Sequence, residues 1–488
     1  MFSLLLQKEL KNIITSPKFT ATFLVCSLLI LISVFIGINE YENAVAQYQA
    51  NQEIARQNIA EATSWGRVRN LLHREPNPVQ IFVSGVHFDV GRLSNISDYN
   101  DVKLVRSPYS DETLFAIFRV IDFAFIVQIV LSLFAILFTY DAINGEREQG
   151  TLKLAFANSI SRAKYLIAKF SGIWLGLIVP LLIPILLGML MLIAFKVPLA
   201  STDWLSIISL VGLSVLYISL FIVIGILVSA ITRSSSLSFL LLLVIWISGV
   251  LIVPRLGVMA AGQIVQVESV AQIEAKQEAF QKARWDDYSA ELTEVWQERE
   301  AQMEGMSDEE RTAYRDEMEW TWLEEDDASR KQVQSDIITN NRRLLEESQN
   351  RKKLQEQLAF NIARISPVAS FQLAAMKLAG TDVGLKNRYE TSMRLYKDDF
   401  SEYIQQKEAE EGGHGGFNIS IDSEQGVQID FGRNDQTLDT SEMPQYQSPE
   451  LRLQDTVGAA LFDFGFLGVC IVLGFGGSVL AFMRYDLR

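Results

Sequence analysis

Residues Trp204–Ile231 read WLSIISLVGLSVLYISLFIVIGILVSAI, a run without a charged side chain. About 20 apolar residues in a helix cross the hydrocarbon of a bilayer, with every backbone polar group satisfied inside the helix. Five further runs of the same kind stand at Phe19–Ile38, Leu114–Phe138, Ala168–Phe195, Ser234–Val253 and Ala459–Met483. The chain is therefore predicted to cross a membrane six times.

Basic residues set the orientation, because loops rich in Lys and Arg stay on the cytoplasmic side. Lys8, Lys11 and Lys18 precede the first run, and Arg147, Lys153, Arg162, Lys164 and Lys169 cluster between the second and third. Arg233 separates the fourth from the fifth, and Arg484 and Arg488 follow the sixth. Six crossings put all of them on one side, so both ends are predicted to be cytoplasmic. No small-x-small cleavage site precedes Asn39, and the first run is read as a retained signal anchor.

This divides the chain into an amphipathic cytoplasmic-face helix (1–18), a first span (19–38), a first outer region (39–113) and a second span (114–138). A cytoplasmic loop (139–167) leads to spans at 168–195, 204–231 and 234–253. A large outer region (254–458), a sixth span (459–483) and a short cytoplasmic tail (484–488) complete it.

The 488 residues are 49% hydrophobic, yet the mean hydropathy is only +0.17, because polar stretches alternate with the apolar runs. The net charge of −15 comes largely from the outer segments, where Glu317, Glu319, Glu324, Glu325, Asp326 and Asp327 crowd together; this disfavours a nucleic-acid partner. Cys26 and Cys470 both fall in spans, which excludes an extracytoplasmic disulfide framework and a Cys-based zinc site.

Asn39–Arg69 is rich in Gln, Glu and Ala and is predicted to carry the first helix outward until Pro76 and Pro78 stop it. Val79–Val90 reads as a short strand or extended segment. Farther on, Val258–Glu304 and Ser307–Arg364 predict a hairpin of long helices, the second started by a capping box of Ser307 and Glu310. Ser366-Pro367 begins a short apolar helix closed by Gly380 and expected to rest on the outer membrane surface. A polar helix at Gly384–Glu410 and a β-hairpin of Phe417–Ile421 with Val427–Phe431 follow. The fold class is an all-α polytopic membrane protein with six transmembrane helices, a large helical extracytoplasmic insert between spans five and six, and a small β-hairpin.

Charges and glycines concentrate in Tyr140-Asp141-Ala142-Ile143-Asn144-Gly145-Glu146-Arg147-Glu148-Gln149-Gly150-Thr151-Leu152, followed by Ser159-Ile160-Ser161-Arg162. A membrane protein that takes force from a soluble ATPase needs a short, rigid, charged helix that fits a cleft on its partner. Gly145 and Gly150 permit sharp entry and exit, and Glu146, Arg147 and Glu148 supply charges for ion pairs. The simpler reading of these charges is a solvated turn.

This segment resembles the ABC-2 permeases, whose loop after the second span has a G-E-R-E-x-G-T-L pattern and docks on an ATP-binding subunit. Asn77-Pro78, Asp122–Val127, Ala363-Arg364-Ile365-Ser366-Pro367 and Leu378-Ala379-Gly380-Thr381-Asp382 are similar to the subgroup carrying the extracytoplasmic domain DUF3526, which includes gliding-motility-type permeases. The resemblance covers the membrane part and the ends of the insert. It implies ATPase coupling through Asp141, Gly145, Glu146, Arg147, Glu148, Gly150, Thr151, Leu152 and Arg162. It also implies no cofactor in this chain, ATP and Mg held by a cytoplasmic ATP-binding subunit, a second permease subunit as a like or unlike partner, and export or extracytoplasmic mechanical work in a bacterial inner membrane.

Arg119 and Asp122, three residues apart, share a helix face where they could pair and line a translocation path, or simply sit at the interface. Pro180 and Pro184, with Gly172, Gly176 and Gly188, predict a kinked third span closely approached by its neighbours. His73, His87 and His414 all fall outside the spans, and His414 in its glycine loop is read as solvated rather than metal-binding. No phosphate-binding loop and no His-Glu-x-x-His occur, so an intrinsic enzyme is not expected. An intramembrane hydrolase would have only Asp122 and Asp463 to work with. The competing reading is a membrane-anchored helical adaptor without transport, which leaves the loop motif unexplained.

Overall fold

The structure is a computed structural model; it describes residues 2–65, 68–96, 102–107, 121–157, 160–410, 418–422, 426–430 and 438–484. Helices α1 (Phe2–Ile14) and α2 (Pro17–Ala60) open the chain, and strands β1 (Asn70–His73) and β2 (Leu93–Ile96) follow. A helical turn at Phe123–Phe125 and a π-helical stretch at Ile126–Leu131 lead into α3 (Ser132–Thr139). Next come α4 (Asn144–Glu148), α5 (Thr151–Ala157), α6 (Arg162–Ala194), α7 (Ser201–Ile231) and α8 (Ser235–Ile247). Then follow α9 (Val253–Ile264), α10 (Val270–Gln302), α11 (Asp308–Ala363), α12 (Pro367–Leu378), α13 (Leu385–Glu410), the hairpin β3 (Asn418–Asp422) and β4 (Gly426–Asp430), and α14 (Ala459–Met483). Two compact units result: Met1–Leu251 with Ser366–Arg488, and Ile252–Ile365.

Among the described residues six helices are long and apolar enough to cross a membrane: Pro17–Ala60, Phe123–Glu148, Arg162–Ala194, Ser201–Ile231, Ser235–Ile264 and Gln454–Met483. They coincide with the six apolar runs, so the chain is an all-α polytopic membrane protein. The first helix begins at a Ser16 cap followed by Pro17 and continues as a polar helix to Ala60. Leu114–Val120 of the expected second span, with Arg119, lies outside the described residues. The described helix starts at Asp122, whose Oδ1 accepts from the Phe125 N–H at 2.8 Å and whose Oδ2 accepts from the Ser84 N–H and hydroxyl.

In the first unit α7 is the most enclosed span, packed against α3, α12 and α14. Tyr217 is fully buried there; its hydroxyl donates to the Gln128 carbonyl at 3.0 Å and its ring stacks on Phe371 at 4.4 Å. Gln128 lies in the π-helical stretch, where widening of the helix leaves a carbonyl free for a side-chain donor. On α6, Ile183, Leu186, Leu190 and Ile193 recur at helical spacing and are exposed, the apolar face that lipid requires. The small residues of α6 admit neighbours as expected. A Cβ at Gly172 would stand 2.5 Å from that of Glu9, and at Gly188 3.2 Å from Val34 Cγ2.

Two local expectations are corrected. The short helix α12 does not lie on a membrane surface: Val368, Phe371, Ala374, Ala375 and Leu378 are buried against α7 and α14. Its apolar residues occupy more than one face, and such a helix must be covered all round. Val79–Val90 contains no strand. Asn77 caps a 3-10 turn at Pro78–Ile81, because Pro78 fixes φ and Asn77 Oδ1 accepts from the Val79 N–H.

Outside the spans, β1 and β2 pair antiparallel and cover α13 with Trp65, Leu72, Ile96, Leu104, Met393 and Phe400. The region 254–458, expected as one piece, is divided at residue 365, its later part belonging with the spans. The second unit carries a helical hairpin as expected, but its first arm, expected unbroken over Val258–Glu304, is divided between Ile264 and Val270, where Ser269 supplies a new helix cap. Ser269 with Gln272 and Ser307 with Glu310 form capping boxes for α10 and α11. Arg299, 4% exposed, joins the two helices through Asp326 at 3.0 Å and Glu325 at 3.1 Å, and lies over the rings of Trp296 and Trp322.

Candidate functional site

The loop after the second span is a helix–turn–helix held by buried polar contacts. Asn144 is fully buried; its Nδ2 donates to Thr232 Oγ1 at 2.7 Å, and the backbone N–H groups of Ile143 and Asn144 both reach Ser229 Oγ. These bonds fix the start of α4 against the end of α7. Leu152, 2% exposed, anchors α5 in the core.

Glu146 faces inward. Its carboxylate accepts from Lys169 Nζ and Lys8 Nζ, each at 2.9 Å, and from the Tyr165 hydroxyl at 2.6 Å. Lys169 also meets Glu9 at 2.9 Å, and the side chains of Lys169, Glu9 and Glu146 are only 6%, 9% and 11% exposed. Two positive and two negative groups thus join α1, α4 and α6 in one neutral cluster. Buried charges are tolerated only in such mutual compensation.

Glu148 accepts from the N–H and hydroxyl of Ser235, at the first turn of α8, where the partial positive charge of a helix N-terminus favours a carboxylate. Arg162 donates to the carbonyls of Phe482 and Met483 at the end of α14. Asp141 stands 3.6 Å from Lys18 at the foot of α2. Arg147, Gln149 and Gly150 remain on the exposed side.

The two glycines differ. Gly150 has φ +75°, a left-handed conformation that glycine adopts without cost, and it makes the turn between α4 and α5. Gly145 lies inside α4, where a Cβ would meet Asp141 Cβ at an ordinary 3.4 Å, so the turn does not depend on it. Thr151 Oγ1 donates to the Glu146 carbonyl at 3.2 Å, across that turn.

Sequence reasoning placed Lys8 and Glu9 on the amphipathic helix of residues 1–18 and Lys169 among the charges at the edge of the third span, gave none of them a partner, and missed Tyr165 and Ser229 altogether. The available signal was a carboxylate in an amphipathic helix and a lysine two residues inside an apolar run, neither affordable there without a partner.

At the other end of the spans the motif residues of the insert converge. Asn77 Nδ2 donates to the Ala379 carbonyl at 2.9 Å, and Thr381 Oγ1 to the Val83 carbonyl at 3.0 Å. Asp382 holds Arg388 at 2.9 Å. Asp463 is fully buried and engaged by Lys377 at 3.2 Å, while Asp122 is a helix cap; neither is arranged as a hydrolytic pair. The pairing of Arg119 with Asp122 and the loop of His414 lie outside the described residues. Among the described residues no group of three or more His, Cys, Asp or Glu side chains could hold a metal ion.

Six apolar helices among the described residues, with a charged loop bonded to their ends, define a multi-pass membrane protein. The chain matches the family described as ABC-2 family transporter protein over residues 4–487, nearly its whole length, and it belongs to that family. It is thus a permease subunit of an ABC transporter, a membrane subunit of a kind that is generally non-catalytic. The match does not distinguish the DUF3526 subgroup. No curated protein matches the chain.

Proposed function

We propose that Asp141–Leu152, with Arg162, is the segment through which a separate cytoplasmic ATPase moves this permease. The supporting observation is its wiring. Glu146 ties it to α1 and α6, Glu148 to α8, Asn144 to α7 and Arg162 to α14. A displacement of α4 is therefore passed to several spans at once, through contacts too well packed to absorb it.

In this reading both termini and the loop are cytoplasmic, the membrane is a bacterial inner membrane, and ATP and Mg are bound by the partner. A second permease subunit completes the assembly. The work is export, or a pull delivered to the outer region, and the chain belongs to the DUF3526 subgroup.

The division between inward Glu146 and outward Arg147 changes how docking is tested. Charge inversion at Glu146 would damage the loop itself, whereas Arg147→Glu alters an exposed position. Arg147→Glu is expected to cut ATPase co-purification and stimulated ATP hydrolysis at least tenfold, while the chain still inserts and stays monodisperse in detergent. Undiminished co-purification would remove Arg147 from the contact.

A further inference from the structure

β1 has a strand partner on one side only. Arg74 N–H donates to the Arg92 carbonyl at 2.8 Å, and the register continues with Leu72 opposite Ser94. In an antiparallel ladder alternate residues bond to the same neighbour, so Leu71 and His73 turn their N–H and C=O groups away from β2. The far side of β2 is taken by Val105, paired with Leu93. Among the described residues no backbone hydrogen bond reaches the outward groups of Leu71 or His73.

A cavity of about 410 Å³ runs along this edge and is lined by all four residues of β1. One wall is the outward continuation of α2, at Gln52, Ala55 and Ile59; the other is Met443, Pro444 and Tyr446. His73 is 6% exposed and its Nε2 is buried without a partner. An open strand edge and a bare imidazole nitrogen thus share one groove, and unpaired buried polar groups are costly enough to mark a place where something else binds.

The groove continues. A second cavity of about 820 Å³ shares Tyr48 and Tyr446 with it and passes Glu75, Glu450 and Asp455. A third, of about 390 Å³, shares Glu75 and Glu450 with the second and reaches Asp203 at the start of α7. Arg388 is held by Asp382, and Arg74 and Arg452 are the other cations of the lining, outnumbered by the carboxylates of Glu75, Glu450, Asp455 and Asp203. The continuation is net acidic.

We propose that this track binds an extended polypeptide segment, which adds as a strand to the free edge of β1 and carries basic residues into the acidic continuation. Strand addition supplies the missing donors and acceptors in register, with apolar walls to receive alternate side chains. A lipid headgroup or a small cation would leave the row of backbone groups unmet. The site is independent of the coupling loop.

The probe is a fluorescein-labelled peptide, Thr-Val-Thr-Val-Gly-Lys-Lys, titrated against the full chain in lipid nanodiscs and read by anisotropy. Saturable binding is expected. N-methylation of the alternate amides that would face β1 should weaken it at least ~10-fold, the loss of two or more backbone hydrogen bonds. Gln52→Trp, at an exposed helix position, should obstruct the groove and weaken binding by a similar factor. Glu75→Lys with Glu450→Lys should reverse the preference towards a peptide ending in Glu-Glu, a gain that misfolding cannot imitate. Absence of saturable binding, equal binding of the N-methylated peptide, or an unchanged charge preference would overturn the proposal.

Discussion

At the scale of single residues, Lys169 decides the most. It stands between two carboxylates on different helices, nearly out of water, and each is neutralised largely by it. Lys169→Met would leave Glu9 and Glu146 facing one another in a poorly solvated site, a loss of about 3–5 kcal/mol where one partner of a buried pair is removed. The thermal midpoint in detergent should fall accordingly, and Glu9→Gln in the same chain should restore part of it; an unchanged midpoint would show that the cluster is solvated. His87 makes a second residue-scale prediction. Burial, then the neighbouring Arg74 and Arg92, hold its imidazole well below the ordinary value, and burial lowers His73 as well. The unfolded chain therefore binds these protons first as the pH falls below about 6.5, so the stability present above that value is lost on acidification. Amide exchange in residues 70–96, corrected for its intrinsic pH dependence, should rise from pH 7 to pH 5.5, with a shallower slope in His87→Gln. The charged loop was legible in the sequence as a distinct segment between two spans, but the direction of each charge was not. Glu146 and Arg147 are adjacent letters, and only the facing lysines of α1 and α6 determine which one turns inward.

At the scale of elements, helices with an unambiguous solvent or a strong cap were readable, and those whose surroundings come from distant sequence were not. The six spans followed from length and apolarity, and α11 from its Ser307 cap and Glu310. Helix α12 was readable as a helix from Ser366, Pro367 and Gly380, yet its place among the spans was not. Nothing local indicates that Phe371 will stack on Tyr217, more than a hundred residues earlier. The contact of α1 with α6 gives the test at this scale. Gly172 lies against the Cβ of Glu9 and Gly176 against Ile13, so the approach is set by missing side chains. Gly172→Val would force α1 outward at a cost of about 1–3 kcal/mol, the usual penalty for overpacking, and would draw Lys8 away from Glu146. Proteolysis and amide exchange within residues 2–14 should increase, and stimulated ATP hydrolysis should fall even though the exposed side of α4 is untouched. Unchanged protection of α1 would mean that the interface yields elsewhere.

At the scale of the whole molecule, the chain leaves and re-enters its first unit at nearly one point. Ser366 Oγ donates to the Gly249 carbonyl at 2.7 Å, although 117 positions separate them in sequence. Ile252–Ile365 is compact by itself, with its own capped helices and its own Arg299 junction. A closed loop of this kind can be exchanged for a short linker without stretching the rest, since closing a few flexible residues over a small gap costs little. Replacing Pro254–Ile365 with a short Gly-Ser linker keeps about 20 apolar residues at Ser234–Val253, enough to span. The shortened protein should insert, remain monodisperse with the parent's thermal midpoint to within a few degrees, and still co-purify with the ATPase, because the contacts of the proposed coupling segment with α1, α6, α7 and α8 lie in the first unit. If the long helices deliver the work outside the membrane, ATP hydrolysis should persist while cellular function is lost, whereas loss of hydrolysis as well would place the helical unit inside the coupling pathway itself.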